Sequence, residues 1–129
     1  MIADIESIIT TYLKAETGER IVGETPSDLN VPWVKLTLLD AANESASNPE
    51  HLIEYMVQAE CYAGAEKAGA QGEAFALVSE VRAALANLEG IHGGAVFSCV
   101  RFSGMARVPD TKLEPARQRY ILTSHLYAH

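Results

Sequence analysis

Residues 51–63 constrain the fold more than any other segment, because hydrophobic and polar side chains alternate along most of their length. Ile53 and Tyr55 begin the hydrophobic series, whereas Glu54 and Glu60 belong to the polar series between its members. Alternation of this kind is typical of a strand with one buried face. A strand this long is expected to pair with its neighbours over most of its length.

Two other segments have the hydrophobic spacing of amphipathic helices. The first contains the isoleucines near the N-terminus, carries acidic residues in its first turn and is expected to end at Gly18. The second covers residues 66–88, with a hydrophobic stripe that includes Leu77, and Gly90 is its expected C-cap. These two segments predict the helices of the protein.

The rest of the chain predicts strands and loops. Four further segments have β-branched, aromatic or alternating residues, over residues 19–22, 33–39, 95–107 and 117–127. Residues 40–50 and 109–115 are polar and contain proline, and they predict loops. The order of elements indicates a single α+β domain over residues 1–129, with a mostly antiparallel mixed sheet of four to five strands and two amphipathic helices packed on one face.

The composition is that of an ordinary soluble domain. The 129 residues are 48% hydrophobic and 21% charged, without a long apolar run or a basic segment before the first apolar cluster. We therefore expect a soluble protein without a signal peptide or membrane span. The net charge of −7 argues against broad binding to nucleic acid.

Charge is distributed unevenly along the chain. Residues 1–64 contain eleven acidic and three basic residues, whereas residues 65–129 contain six acidic and seven basic residues. Two such halves suit stacking on a second copy or on a complementary partner, although chance clustering on a solvated surface explains them equally well.

A search for catalytic and metal-binding patterns finds none. GxSxG, Walker-type and GxGxxG motifs are absent, and no histidine has metal-ligand spacing. Glu54 and Glu60 are about 20 Å apart along one strand, which is too far for acid–base cooperation. Cys61 and Cys99 are expected to be buried free thiols. We therefore predict no catalytic residue, no metal site and no cofactor.

One nucleic-acid hypothesis has some support. Basic and aromatic residues near the C-terminus would form a face like that of single-strand binders, with Arg101, Arg107, Arg117, Arg119, Phe102 and Tyr120 as its members. The net negative charge and the lack of a recognition helix argue against this function.

Four sequence pieces occur in a characteristic order. They are the helix with Ile5-Glu6-Ser7-Ile8-Ile9, the strand with Pro32-Trp33-Val34-Lys35-Leu36, the long strand that leads through an alanine-rich helix to Leu88-Glu89-Gly90, and the closing strand with Arg119-Tyr120-Ile121-Leu122-Thr123. This order resembles the tail terminator family of long-tailed (siphovirus-type) bacteriophages. The similarity is one of order and spacing and covers nearly the whole chain.

The resemblance implies a structural virion protein without catalytic residues. Such a protein forms a homo-oligomeric ring, a hexamer, that caps the tail tube, ends its polymerisation and joins the tail to the head-completion complex. The implied partners are the major tail tube protein and a head-completion (neck) protein, and DNA passes through the lumen without specific binding. The implied location is the head-proximal end of the virion tail, after assembly in the host cytoplasm.

A ring requires two different patches that bind each other on adjacent copies. We expect charged residues from the acidic and basic halves to serve at the subunit, tail or neck interface, namely Asp40, Glu44, Glu54, Glu60, Arg101, Arg107, Arg117 and Arg119. The loop over residues 40–50 is expected to become ordered against the tube or the neck protein. The alternatives are another head–tail neck or connector component, or a small ligand-binding α+β domain.

Overall fold

The computed structural model describes residues 4–28, 32–43, 53–65, 70–113 and 117–129, which contribute two helices and six strands to an α+β fold. In chain order these are α1 (Ile5–Thr17), β1 (Ile21–Val22), β2 (Trp33–Asn43), β3 (Ile53–Ala65), α2 (Ala70–Ala86), β4 (Gly90–His92), β5 (Ala95–Arg107) and β6 (Arg117–Ala128). Neither helix in this described part has the length and hydropathy needed to cross a membrane.

The six strands form one mixed sheet in the order β1-β2-β3-β6-β5-β4. β1 runs parallel to β2, and every other neighbouring pair is antiparallel. β3 lies between β2 and β6 and pairs with both along most of its length, as the alternation of its residues predicted.

Local sequence determines both ends of α1. The Asp4 side chain accepts a hydrogen bond from the backbone N–H of Ser7 at 3.1 Å, which caps one of the unpaired donors of the first turn. At the other end Gly18 adopts a left-handed conformation with φ of 69°, and its N–H donates to the carbonyl of Lys14. The predicted end of this helix at Gly18 is confirmed.

The core lies between the two helices and one face of the sheet. It contains every second residue of β3, together with a stripe of buried residues from each helix and partners from β2, β5 and β6, including Ile5, Ile9, Leu13, Val34, Leu36, Tyr55, Val57, Ala59, Leu77, Val81, Leu85, Phe97, Leu122 and Leu126. We call this side of the sheet the helix side and the other side the open face.

The sheet has six strands rather than the predicted four to five, and β4 is the additional one. Gly90 was expected to be a helix cap, but it begins β4 and pairs with Phe97 of β5. A three-residue strand is too short to show an alternating pattern, so only its pairing reveals it. Gly93 and Gly94, both with positive φ, form the turn between β4 and β5.

β2 is longer than its sequence predicted. Residues 40–43, expected to belong to a loop, continue the strand and pair with residues 53–56 of β3. Asp, Ala and Asn have weak β-propensity, so the paired strand rather than local preference explains this extension. The remaining loop residues, 44–50, and the predicted start of α2 at residues 66–69 lie outside the described residues.

Candidate functional site

The open face carries several of the charged side chains that the sequence singled out. Glu60 of β3 and Arg119 of β6 lie on neighbouring strands there, and the Arg119 guanidinium is 2.8 Å from the Glu60 carboxylate. The guanidinium is also 3.6 Å from the carboxylate of Asp110, and Lys35 lies 4.0 Å from Glu60. We call these four residues and Tyr62 the Arg119 cluster.

The cluster is largely shielded from solvent. The side chains of Arg119 and Glu60 are 16% and 13% exposed. The hydroxyl of Tyr62 donates a hydrogen bond to Asp110 at 3.0 Å and accepts one from Arg119 at 3.3 Å. Each buried charge therefore has an opposite charge or a hydrogen-bond partner, which reduces the cost of its burial.

The surroundings change the pKa values of two members of the cluster. Burial raises the pKa of Tyr62 to about 12, although the hydrogen bond from Arg119 opposes this effect. Burial lowers the pKa of Arg119, but its hydrogen bond with Tyr62 and the carboxylates of Asp110 and Glu60 raise it on balance. Tyr62 therefore keeps its proton, and Arg119 its charge, throughout the physiological range.

The Arg119 cluster attaches the segment after β5 to the sheet. The Nε of Arg119 donates to the carbonyl of Val108 at 2.8 Å, and Asp110 forms a β-bridge with Arg117. The ring of Tyr62 stacks on Trp33 with centroids 3.7 Å apart, and Trp33 is fully buried. These contacts indicate a structural role for the cluster, because every group in it is used to hold one segment against another.

Glu54 lies at the other end of the open face with a different partner. Its carboxylate is 2.6 Å from Nδ1 of His125. Arg101 pairs in register with His125 on the adjacent strand, and its guanidinium lies 5.5 Å from the ring centroid of Tyr127. Glu54 and Glu60 therefore belong to two separate groups of side chains.

The other predicted interface residues are spread over the molecule. Arg107 ends β5 and Arg117 begins β6, on either side of the segment that the Arg119 cluster holds. Asp40 is exposed on β2, where its carboxylate accepts a hydrogen bond from the N–H of Ala41. Glu44 lies outside the described residues. Contact of these residues with another subunit stays a prediction, and Arg119 and Glu60 are paired within one chain.

The structure does not bring the proposed basic and aromatic residues onto one face. Phe102 and Tyr120 pack against the core on the helix side. Arg119 and Arg101 lie on the open face instead, because neighbouring residues in a strand point to opposite sides of the sheet. These four residues therefore do not share the continuous face that the single-strand-binding hypothesis, already disfavoured by the net charge, would require.

Sequence reasoning missed a groove between α2 and β5. It has a volume of about 560 Å³ and is lined by Phe75, Ser79 and Arg82 of α2 and by Phe102, Gly104 and Met105 of β5. Phe75 is 49% exposed and Met105 is 42% exposed, and the Arg82 guanidinium lies 4.6 Å from the ring centroid of Phe102. The signal in the sequence was Phe75, which lies beside the buried stripe of α2 rather than in it.

Both cysteines are free, as predicted. Cys61 is fully buried in the core, and burial, together with the neighbouring Glu60 carboxylate, raises the pKa of its thiol. Cys99 is only partly buried, so the expectation that both thiols would be buried holds fully for Cys61 alone. A protonated thiol is a weak nucleophile and a weak metal ligand.

The described residues contain no group of three or more His, Cys, Asp and Glu side chains arranged to hold a metal ion. In comparisons with known proteins, no family model matches the chain, and no curated protein sequence matches it significantly.

Proposed function

We propose that this protein is a phage tail terminator, a structural virion protein that forms a ring at the head-proximal end of the tail. In this proposal the ring, a hexamer, caps the tail tube, ends its polymerisation and joins the tail to the head-completion complex. The major tail tube protein and a neck protein are its partners, DNA passes through the lumen without specific binding, and assembly takes place in the host cytoplasm.

The observation that carries the proposal is a sheet with two different, largely unpaired edges. On one side β1 pairs with only Val34 and Lys35 of β2. On the other side β4 pairs with only the first three residues of β5, Ala95–Phe97 in the register of the strands. No other described strand pairs with these outer edges. Two unlike edges on opposite sides of one protomer suit head-to-tail association, which forms a ring when the rotation between adjacent copies closes and an open filament when it does not.

The distribution of charge supports the same proposal. The β2 edge belongs to the acidic half of the chain and the β5 edge to the basic half. Where an exposed acid of β2 such as Asp40 meets an exposed base of β5 such as Arg101 on the adjacent copy, the opposite charges would favour the correct orientation during association. Another ring-forming neck component would use the same two edges, so the proposal needs a test of tube capping as well as of assembly.

The test combines mass and function. The purified protein is sized by light scattering, imaged by negative stain, and added to polymerising tail-tube protein encoded beside its gene. We expect closed rings, and tubes that stop growing with a ring at one end. Rings that leave tube length unchanged and bind the neck protein would favour another neck component, and a protein that stays monomeric at all accessible concentrations would overturn the ring.

A further inference from the structure

The groove between α2 and β5 lies where β5 extends beyond the helix that packs on β3 and β6. Its floor is the helix side of β5. Phe102 and Met105 point to that side, because each pairs in register with a buried residue of β6. Phe75, Ser79 and Arg82 of α2 form the wall. The groove therefore opens on the helix side of the sheet, and all of its lining residues belong to one chain.

One end of the groove is apolar. Phe75 packs edge-on against the ring of Tyr120, with centroids 5.7 Å apart. Tyr120 lies on the same side of β6 as Leu122, which pairs with Met105. Phe75 and Met105 are both exposed. Two large apolar side chains exposed within one concave surface form a patch, and such patches mark interaction sites more often than scattered surface hydrophobes do.

The other end of the groove is positively charged. The guanidinium of Arg82 lies 4.6 Å from the ring centroid of Phe102, and the residue is exposed. None of the described residues that line the groove is acidic. The acidic residues of α2, Glu73 and Glu80, line a different pocket together with Glu19. The groove is thus a positive site in a chain whose net charge is −7.

We propose that this groove binds a segment of a different protein in which an acidic residue lies close to a large apolar residue. The apolar side chain packs between Phe75 and Met105, and the carboxylate pairs with Arg82. Phe75 precedes Arg82 by seven residues, which is two turns of helix or about 10 Å. An extended segment covers that distance in about three residues, so the acidic and apolar residues lie about three positions apart.

The chemistry of the groove favours an acidic peptide over other occupants. A nucleic acid requires several cations, whereas Arg82 is the only cation among the described residues that line the groove. An uncharged apolar segment would desolvate the guanidinium without giving it a partner, which costs free energy. A carboxylate offsets this cost, and it also fixes the register of the bound segment.

Selection from a peptide library tests which chemistry the groove takes. Immobilised wild-type protein is exposed to random nine-residue peptides prepared by mRNA display, and the recovered sequences are counted. We expect enrichment of sequences with Asp or Glu two to four positions from a large apolar residue. Recovery of no enriched sequence, or of sequences without this pair, would overturn the proposal.

Binding of one recovered peptide is then measured on variants by fluorescence anisotropy. Arg82→Glu reverses the charge at one end of the groove, and Phe75→Ala removes the apolar side chain at the other, so each end is tested by itself. We expect each variant to raise Kd at least about tenfold. The matched control is Lys112→Glu, because Lys112 is exposed and does not line the groove. Unchanged Kd in both groove variants, or an equal rise in the control, would contradict the proposal.

The oligomeric state and the capping of tubes distinguish this inference from the proposed ring, which it goes beyond and does not require. A lower mass of the Arg82→Glu or Phe75→Ala protein by itself, measured by light scattering, would show that a second copy fills the groove, and it would reject a different protein as the occupant. Rings that cap tail tubes but bind no peptide would retain the terminator function and reject the groove. Peptide binding by a protein that forms no rings would retain the groove and reject the ring.

Discussion

The Arg119 guanidinium and the Glu60 carboxylate, 2.8 Å apart, form an ion pair within one chain on neighbouring strands of the sheet. Both side chains are largely buried, and the pair is continued by Asp110 and Tyr62. Arg119 therefore contributes to the stability of the protomer, in addition to any contact with another subunit.

Removal of the Arg119 guanidinium should destabilise the fold. Arg119→Ala leaves the carboxylates of Glu60 and Asp110 close together without their shared cation, and we expect the free energy of unfolding to fall by about 3 kcal/mol. Urea denaturation measures this change. The control is Arg101→Ala, because Arg101 is exposed and its cation–π contact is worth under about 1 kcal/mol. Similar losses for the two variants would contradict the structural role of the cluster.

The stability of the protein should fall at alkaline pH through Tyr62. Burial raises the pKa of Tyr62 to about 12, so between pH values of about 10 and 12 the unfolded chain loses this proton while the folded chain keeps it. The protonated Tyr62 hydroxyl therefore contributes fully to the free energy of unfolding below a pH of about 10. This contribution, on the order of 2 kcal/mol, is lost as the pH rises from about 10 to about 12.

Tyr62→Phe isolates this contribution. Because phenylalanine has no ionisable proton, urea denaturation between pH 9 and pH 12 should give the variant a flatter decline in the free energy of unfolding than the wild-type protein. Parallel declines for the two proteins would show that Tyr62 does not titrate differently in the folded and unfolded states.

Two residues of α2 should differ strongly in their effect on stability. Leu85→Ala removes a fully buried side chain and is expected to cost about 3 kcal/mol, whereas Phe75→Ala truncates a half-exposed side chain and is expected to cost less than about 1 kcal/mol. Chemical denaturation compares them. A large loss for Phe75→Ala would mean that Phe75 supports the protomer rather than an exposed groove.

The turn between β4 and β5 should tolerate a side chain at one glycine better than at the other. Gly93 and Gly94 have φ values of 56° and 86°, so alanine is strained at both. A Cβ at Gly93 would also lie 2.7 Å from Cγ1 of Ile8, whereas nothing lies within 4 Å of a Cβ at Gly94. We expect Gly93→Ala to cost about 1 kcal/mol more in the free energy of unfolding than Gly94→Ala. The midpoint of thermal unfolding should therefore be lower for Gly93→Ala than for Gly94→Ala. Equal midpoints would indicate that Ile8 moves aside.

Much of the fold was predictable because it depends on local patterns. The spacing of buried residues in α1 and α2 and the alternation in β3 and β6 follow from the geometry of helices and strands. β5 was predicted with the bounds that it has in the structure. The extension of β2 through Asp40 was not predictable, because it depends on pairing with β3. The existence of β4 was not predictable either, because it depends on pairing with β5 across a turn.

The candidate site was predictable only in part. Glu60 and Arg119 were singled out by charge, but 59 positions separate them in the chain, and only the pairing of β3 with β6 brings them together. Tyr62 and Asp110 were not singled out, because neither has a distinctive neighbour in sequence. Phe75 lies beside the hydrophobic stripe of α2 in the sequence, and the groove that it lines appears only when β5 lies beside α2.

The sequence by itself determined the kind of each main element and which of its faces is hydrophobic, because these properties repeat every two or every 3.6 residues along the chain. Only the tertiary structure decided which strands are neighbours, which edges stay unpaired and which charges neutralise one another. Those relations depend on contacts between residues far apart in the chain, and no local period records them.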